Sequence, residues 1–435
     1  MQKVHIKTYG CQMNVYDSEL VAGILSSDGY EIVPEDNGAN VILITGCTVR
    51  EHADQRALGY LRQILARKRK NNGLRVGLLG CLGQRLGPEL QDTLPDLDLI
   101  LGPDAYRNLP FLLRNLPKNS FVEAENPLED YDNIPPLRKK GASAFIAISR
   151  GCNHNCTYCI VPYTRGRERS RSVKSIISEV ENLVENGFKE VTLLGQNVNS
   201  YRCNSVYFPE LLDRTSRVPG IKRVRFITSH PKDLSERLVH FIRDRENVCS
   251  HVHLPVQSGS DKVLKTMGRE YTAKHYLSLI ELMRREIPDV RITTDIISGY
   301  PGETEEDHRL TLGLVRQVGY DGAFTFKYSP RQGTPAYHLH DDVPAEVKIR
   351  RLNEVSALQR EITARKNQNY IGKTVTVMVE TTSKRSTKDM LGKTDGGQNV
   401  ILSDVDLPVG TFCTAAIVAS SSQTLFGKLE EVIEV

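Results

Sequence analysis

Three short apolar runs near the start of the chain each close on a Gly-Cys pair: Lys7-Thr8-Tyr9-Gly10-Cys11, Ile44-Thr45-Gly46-Cys47 and Leu79-Gly80-Cys81. The runs Val4–Ile6, Val41–Ile44 and Val76–Leu79 have the length and composition of buried strands. Helical patterns such as Ser18–Leu25 and Ala53–Leu65 separate them. Strands alternating with helices predict a parallel α/β sheet with helices packed on its faces. In such a sheet the strand ends share one edge, where ligands collect. A glycine before each cysteine permits close backbone approach. The pattern therefore brings three thiols toward one edge; three unrelated buried cysteines at loop starts would look the same locally.

The second segment, 142–370, begins after a connector, 123–141, that is acidic, then carries Pro135-Pro136, then Arg138-Lys139-Lys140, and reads as exposed. Its strand candidates are Ala144–Ile148, Glu190–Leu194, Arg223–Ile227, His251–Leu254, Arg291–Ile297 and Gly322–Tyr328. Helical stretches such as Lys174–Asn186, Ser235–Arg243 and Ala273–Glu286 lie between them. Six strand–helix units predict a partial (β/α)6 barrel, a fold that places its chemistry at the C-terminal strand ends. A charged helix, Ala345–Asn369, follows, with Val347, Leu352, Val355, Leu358 and Ile362 on one face. From 371 to 435 the β-forming runs Lys373–Glu380, Gln398–Leu402 and Phe412–Ala419 predict a small antiparallel barrel.

Directly after the first barrel strand stands Gly151-Cys-Asn-His-Asn-Cys-Thr-Tyr-Cys159, a C-x3-C-x2-C loop. Cys152, Cys156 and Cys159 supply three thiolates to one point. A [4Fe–4S] cube has four irons, so three ligands leave one iron open for a small chelating molecule. Zinc is the alternative, and His154 within the loop would serve it. The Cys11, Cys47 and Cys81 trio, if it converges, would hold a second cluster of the same kind.

The bulk composition sets wide limits. The chain has 435 residues, 39% hydrophobic and 25% charged, enough for several ordinary domains. A net charge of +4 neither establishes nor opposes nucleic-acid binding. Nine cysteines, an odd number, fit a reducing compartment in which thiolates stay available to metals. No apolar run approaches the ~20 residues that span a bilayer, and Met1-Gln2-Lys3-Val4-His5 does not resemble a secretory signal. The cytoplasm and no membrane association are the expectation. Cys203, Cys249 and Cys413 lack comparable context and read as packing residues.

Taken together these motifs resemble the radical methylthiotransferases over nearly the whole chain. Tyr9-Gly-Cys-Gln-Met-Asn14, Cys47-Thr-Val-Arg-Glu51 and Gly80-Cys81 are similar to that family's auxiliary-cluster motifs, and Gly151 through Arg171 to its radical motif with a basic extension. His253–Ser260, Asp295–Thr304 and Tyr328–Ala336 continue the match, and the last segment resembles a TRAM domain, a small RNA-binding barrel. Gly195-Gln-Asn-Val-Asn-Ser-Tyr201 resembles the branch acting on N6-isopentenyladenosine-37 of tRNA. The chain departs from the family pattern at Thr45-Gly46, where Asn-Thr is usual, and at Ser298, where an apolar residue is usual.

The resemblance implies two [4Fe–4S] clusters and S-adenosyl-L-methionine as cofactors. One S-adenosylmethionine would methylate sulfur held at the Cys11/Cys47/Cys81 cluster. A second, cleaved at the Cys152/Cys156/Cys159 cluster, would release a 5′-deoxyadenosyl radical that takes hydrogen from adenine C2. Radical chemistry suits this carbon, because an aromatic C–H is too weakly acidic for a side-chain base. Cofactor contacts implied are Tyr158, Gln196, Asn197, Ser229, Gln257 and Asp295; a packed aromatic and turn-capping polar residues are the competing readings. The basic residues Arg165, Arg167, Arg169 and Arg171, with Lys366, Lys373, Lys384, Arg385, Lys388 and Lys393, would meet RNA phosphates unless they are merely solvated faces. Implied partners are a tRNA anticodon stem-loop, an electron donor such as flavodoxin or ferredoxin, and a sulfur source. Rival readings are methylthiolation of a ribosomal-protein aspartate and a non-catalytic iron–sulfur RNA-binding protein.

Overall fold

A computed structural model describes residues 1–48, 51–70, 73–115, 120–122 and 129–434. Val49-Arg50 of the second cysteine motif and residues 123–128 of the connector lie outside the described residues.

The three apolar runs become strands of one six-stranded parallel sheet, ordered β2-β1-β3-β4-β5-β6. These are β1 (Lys3–Tyr9), β2 (Glu31–Ile32), β3 (Val41–Gly46), β4 (Arg75–Leu79), β5 (Leu99–Leu101) and β6 (Ser120–Val122). Strand β3 is buried along its whole length, as a parallel strand covered on both faces must be. Leu20, Val21 and Leu25 cover one face; Ala57, Leu61 and Ile64 cover the other. From β1 the chain moves outward to β2 and then back across to β3. The crevice at the C-terminal ends of β1 and β3 is therefore the topological switch point, the place where open α/β sheets bind ligands. Helices α1 (Gln12–Ser27), α2 (Glu51–Lys68) and α3 (Cys81–Thr93) begin at or just after the three cysteines.

The second unit contains β7 (Ser143–Ala147), β8 (Glu190–Leu194), β9 (Arg223–Phe226), β10 (His251–His253), β11 (Arg291–Ser298) and β12 (Gly322–Lys327). They form two parallel three-stranded sheets, β9-β8-β7 and β10-β11-β12, joined by a Val224–Val248 bridge. The result is an open barrel around one large apolar core. Met13 and Tyr16 of α1 pack on Ala147 and Leu194, seating the first unit beside β7 and β8.

The connector is exposed at Asn133, Pro135, Leu137, Lys139 and Lys140, as expected, but it is anchored at two points. Tyr131 is fully buried, and its hydroxyl donates to the Pro103 carbonyl at 2.8 Å. Arg138 pairs with Glu19 and Glu179. A Pro- and charge-rich segment read as a tether is instead mortar between two units, because one tyrosine and one arginine in it find buried partners.

Helix Ala345–Gln368 leads into a closed five-stranded barrel: β13 (Thr374–Thr382), β14 (Met390–Thr394), β15 (Asn399–Leu402), β16 (Phe412–Ser420) and β17 (Thr424–Glu434). All pairs are antiparallel except β15 with β17, which is parallel and closes the barrel. The β14–β15 turn docks under the central barrel. Arg223, Arg225 and Arg291, at the N-terminal strand ends, donate to the carbonyls of Lys393, Thr394, Asp395 and Gly396 at 2.6–2.9 Å. Cys249 and Cys413 are buried packing residues. Among the described residues no helix is long and apolar enough to cross a membrane.

Candidate active site

Cys11, Cys47 and Cys81 meet at the switch-point edge. Gly10 has φ +138°, and a Cβ there would sit 2.4 Å from the Cys47 Cβ. Only glycine lets the first loop come this close to the second. The unusual Gly46 has a similar reason: a Cβ there would lie 2.6 Å from the Leu82 Cβ, so its absence admits the first turn of α3, which carries Cys81. A hydrogen bond from Cys47 favours the Cys11 thiolate; with help from Arg165 it outweighs burial and lowers the Cys11 pKa to about 6. Burial dominates at Cys81 and pushes its thiol up.

The second trio lies in the loop after β7. Burial raises the Cys152 thiol to about 11; burial, then the neighbouring Cys156, raises Cys159 to about 12. Metal must displace thiol protons at these two positions. The buried Arg269 donates to Cys156 Sγ at 3.4 Å, a counter-charge with no sequence signal. His154 takes no part in the thiol group. Its Nε2 faces Asp233 at 2.7 Å and Asn197 at 3.1 Å, and its ring stacks on His230 at 3.8 Å. Among the described residues, His154, His230 and Asp233 are the one group of potential ligands whose atoms all lie within 4.8 Å of one another. Neither cysteine trio closes that tightly, so each suits several irons better than a single zinc ion.

Between the trios is a cavity of about 730 Å³. Thr8, Tyr9, Gly10, His52 and Arg56 form its wall on the first unit. Tyr158, Cys159, Ile160, Gln257 and Asp295 form the wall on the barrel. Phe326, Lys327, Tyr328 and Arg331 complete it. Arg331 also reaches across to Asp54 at 3.2 Å.

Gln196, Ser229 and Gln257 occupy the ends of successive strand units. Gln196 Oε1, Ser229 Oγ and Gln257 Oε1 are buried and without a hydrogen-bond partner among the described residues. Such orphans are uncommon and ask for a polar ligand. Thr228 and Gln257 both hold φ +71°, uncommon for any residue but glycine, costlier still for the β-branched Thr228, and concentrated at functional edges. The group fits the polar end of S-adenosylmethionine. Asp295 lies 3.4 Å from His253. Asn197 also has a role the sequence does not suggest: its Nδ2 donates to Asp233 at 2.6 Å and lies 3.1 Å from His154 Nε2, while its Oδ1 accepts from the His230 backbone N–H at 3.1 Å. These bonds brace the cysteine loop and leave one Oδ1 lone pair open.

The basic run corrects the sequence expectation. Arg165, Arg169 and Arg171 are not RNA-facing. Arg165 is 3% exposed and contacts Asp17 and Cys81. Arg169 pairs with Asp104, and Arg171 with Glu179 and Asp132. These carboxylates lie on the first unit, the connector or a barrel helix, so the arginines serve as internal fasteners. Arg167 is exposed, as are Lys384, Arg385 and Lys388 in the β13–β14 loop. That loop lies at the opposite end of β14 from the docked turn.

A three-cysteine loop following the first strand of an open parallel barrel, with orphaned polar atoms at the next strand ends, defines a radical S-adenosylmethionine enzyme. Residues 146–315 match the Radical SAM superfamily, 3–102 match "Uncharacterized protein family UPF0004", and 368–429 match the TRAM domain. The chain is 46% identical over 438 residues to the tRNA-2-methylthio-N(6)-dimethylallyladenosine synthase of Bacteroides thetaiotaomicron, covering 98% of this chain and 96% of that one. It is 47% identical over 431 residues to the protein of the same name from Chloroherpeton thalassium, covering 98% and 95%. The radical S-adenosylmethionine methyltransferase TsrM from Kitasatospora setae shares the fold, with TM-score 0.58 at 14% identity over 78% of this chain and 77% of that one. The chain belongs to the family of tRNA-2-methylthio-N(6)-dimethylallyladenosine synthases.

Proposed function

We propose that the protein adds a methylthio group to C2 of N6-isopentenyladenosine at position 37 of tRNA, in the cytoplasm, using two S-adenosylmethionine molecules per product. The single observation that carries this reading is the cavity whose opposite walls are Gly10, next to Cys11, and Tyr158–Ile160, around Cys159. A base bound there would lie beside Cys159 and the residue next to Cys11. The names of the relatives supply the nucleoside.

Cys11, Cys47 and Cys81 would hold an auxiliary [4Fe–4S] cluster, and Cys152, Cys156 and Cys159 the radical cluster. When bound, these groups supply one-electron cleavage of S-adenosylmethionine on one side and a site for the transferred sulfur on the other. The chain's own residues do the orienting. Gln196, Ser229 and Gln257 offer their unpartnered oxygens to the cofactor's polar end, while Tyr158 and Asp295 line the cavity beside them. Tyr9, Phe326 and Tyr328 give a flipped base apolar faces to stack on. Arg56 and Lys327 put cationic groups at the same cavity, where the phosphates flanking that base would pass. Arg167, Lys384 and Arg385 are the remaining surface contacts for the stem-loop. The electron donor, flavodoxin- or ferredoxin-like, and the sulfur source are separate proteins or small molecules in this scheme.

The test is anaerobic turnover of the reconstituted protein with isopentenylated tRNA, followed by nucleoside mass spectrometry. A product heavier by one methylthio group in place of hydrogen is expected. Unchanged nucleoside with 5′-deoxyadenosine formed would redirect the reading to another substrate. No 5′-deoxyadenosine at all would leave a binding protein.

A further inference from the structure

Arg165 ends the short helix Val161–Arg165, which starts just after Cys159. Its guanidinium nevertheless reaches the other cysteine trio. Nε donates to Cys81 Sγ at 3.1 Å, and Nη2 donates to Asp17 Oδ2 at 2.6 Å. Asp17 is fully buried on α1 and also accepts from Arg150 at 2.8 Å. The third nitrogen, Nη1, is buried and has no hydrogen-bond partner among the described residues. Tyr106 Oη is likewise buried and unpartnered, and it faces the same corner: a Cβ on Gly80, the residue before Cys81, would sit 3.5 Å from it. One orphaned donor thus sits on the guanidinium that holds Cys81 Sγ, and the other lies beside the residue that precedes Cys81. An unsatisfied buried donor is costly, and donors so placed ask for an acceptor between them. The thiols already present do not satisfy them; inorganic sulfides of a cluster would.

We propose that Arg165 is a positioning residue for the auxiliary cluster. It donates Nε–H to the Cys81 ligand and Nη1–H to an inorganic sulfide, with Tyr106 Oη–H as a second donor. The proposal rests on the assignment of Cys11, Cys47 and Cys81 as cluster ligands. Hydrogen bonds and positive charge at cluster sulfurs stabilise the reduced, more negative state and raise the reduction potential. Arg165 reaches this site from the segment that follows the radical loop, so one side chain also ties the two sites together. A change at Arg165 is therefore registered at the auxiliary cluster, even though the residue follows the other cysteine motif.

The test uses the full chain with Cys152, Cys156 and Cys159 replaced by Ala, reconstituted so that only the auxiliary cluster can form. Iron and sulfide are counted, and the midpoint potential is read by an EPR-monitored redox titration. Arg165→Gln is expected to shift the potential negative, Tyr106→Phe to shift it in the same direction by less, and Arg165→Lys, which keeps the charge, to fall between Gln and wild type. Arg138→Gln, which breaks the pairs with Glu19 and Glu179 at a side chain bonded to neither Arg165 nor a cysteine, is expected to leave it unchanged. Equal shifts in Arg165→Gln and Arg138→Gln would reduce Arg165 to a domain fastener and overturn the proposal, as would no shift in any Arg165 variant. Should Arg165→Gln assemble no cluster, Arg165→Lys and Tyr106→Phe carry the same comparison. If the triple-Ala parent itself binds no iron, the ligand assignment fails first, and the proposal fails with it.

Discussion

Replacing Asp17 with Asn would test whether buried charge fastens the first unit to the barrel. The carboxylate is 0% exposed, and the two guanidiniums it accepts from, on Arg150 and Arg165, are 1% and 3% exposed by side chain. Asn keeps the size and one oxygen but leaves two buried positive charges with no counter-charge. Removing one partner of a buried pair costs about 3–5 kcal/mol. Both pairs share one carboxylate, so the two costs do not add. The docked state should lose roughly a hundred- to several-thousand-fold in its equilibrium with the opened one. The assay is hydrogen exchange of the full chain read on Gln12–Ser27 and Val161–Arg165. Asp28→Asn, which breaks the surface pair with Arg114, is the control and should leave those segments unchanged. The pH dependence has a fixed sign. Burial pushes the Asp17 carboxyl up, but Arg165 and Arg150 override it and hold it below its ordinary value. Its contribution is present above the usual carboxylate range and lost as pH falls through the lowered value. The gap between variant and wild type should therefore stay constant across neutral pH and close only in acid. Exchange in Asp17→Asn within threefold of wild type at pH 7 would refute the argument.

Further outcomes follow from the two cysteine sites and the cavity. Cys156→Ala should abolish 5′-deoxyadenosine formation while retaining auxiliary iron; Cys81→Ala should lose the methylthio product yet still cleave S-adenosylmethionine. Iron stoichiometry and product analysis distinguish them. In iron-free protein Cys11, with its pKa near 6, should be alkylated with a midpoint near that pH, whereas Cys159, near 12, should stay unlabelled at neutrality; peptide mass spectrometry after iodoacetamide reads both. Arg56→Ala and Lys327→Ala should each reduce the salt dependence of tRNA binding by about one phosphate contact, seen as a shallower slope of log affinity against log salt.

The strand-ending Gly-Cys pairs were legible because both the signal and its consequence are local: an apolar run, then a residue that permits close approach, then a ligand at a shared edge. The six barrel strands were legible for the same reason. The arginines were not. Arg165, Arg169 and Arg171 stand close together in sequence and look like a solvated face, but Asp17 and Asp104, the partners of the first two, lie on another unit far away along the chain, and Arg171 turns inward to Asp132 and Glu179. Asn197 was placed at the correct edge, yet its amide also meets His154, Asp233 and a backbone N–H, an arrangement that appears only after three strand ends come together. Arg269 gave no sign at all, because a single arginine in a polar loop has no pattern until it meets Cys156. In the last unit two strands were not legible: Met390–Thr394, where Gly392 and Lys393 interrupt the apolar alternation, and Thr424–Glu434, where Gly427, Lys428, Glu430 and Glu431 do the same.

The docking of the β14–β15 turn under the central barrel changes how deletions of the C-terminal module should be interpreted. Arg223, Arg225 and Arg291 give their protons to that turn's carbonyls. Cutting it away would remove four carbonyl acceptors at the foot of the catalytic unit, leaving Arg225 and Arg291 only their carboxylate partners Glu190 and Asp321. A shortened enzyme that fails to turn over would thus have lost its floor as well as its grip on nucleic acid. Point changes in the outward loop at Lys384 and Arg385 are the cleaner way to separate the two.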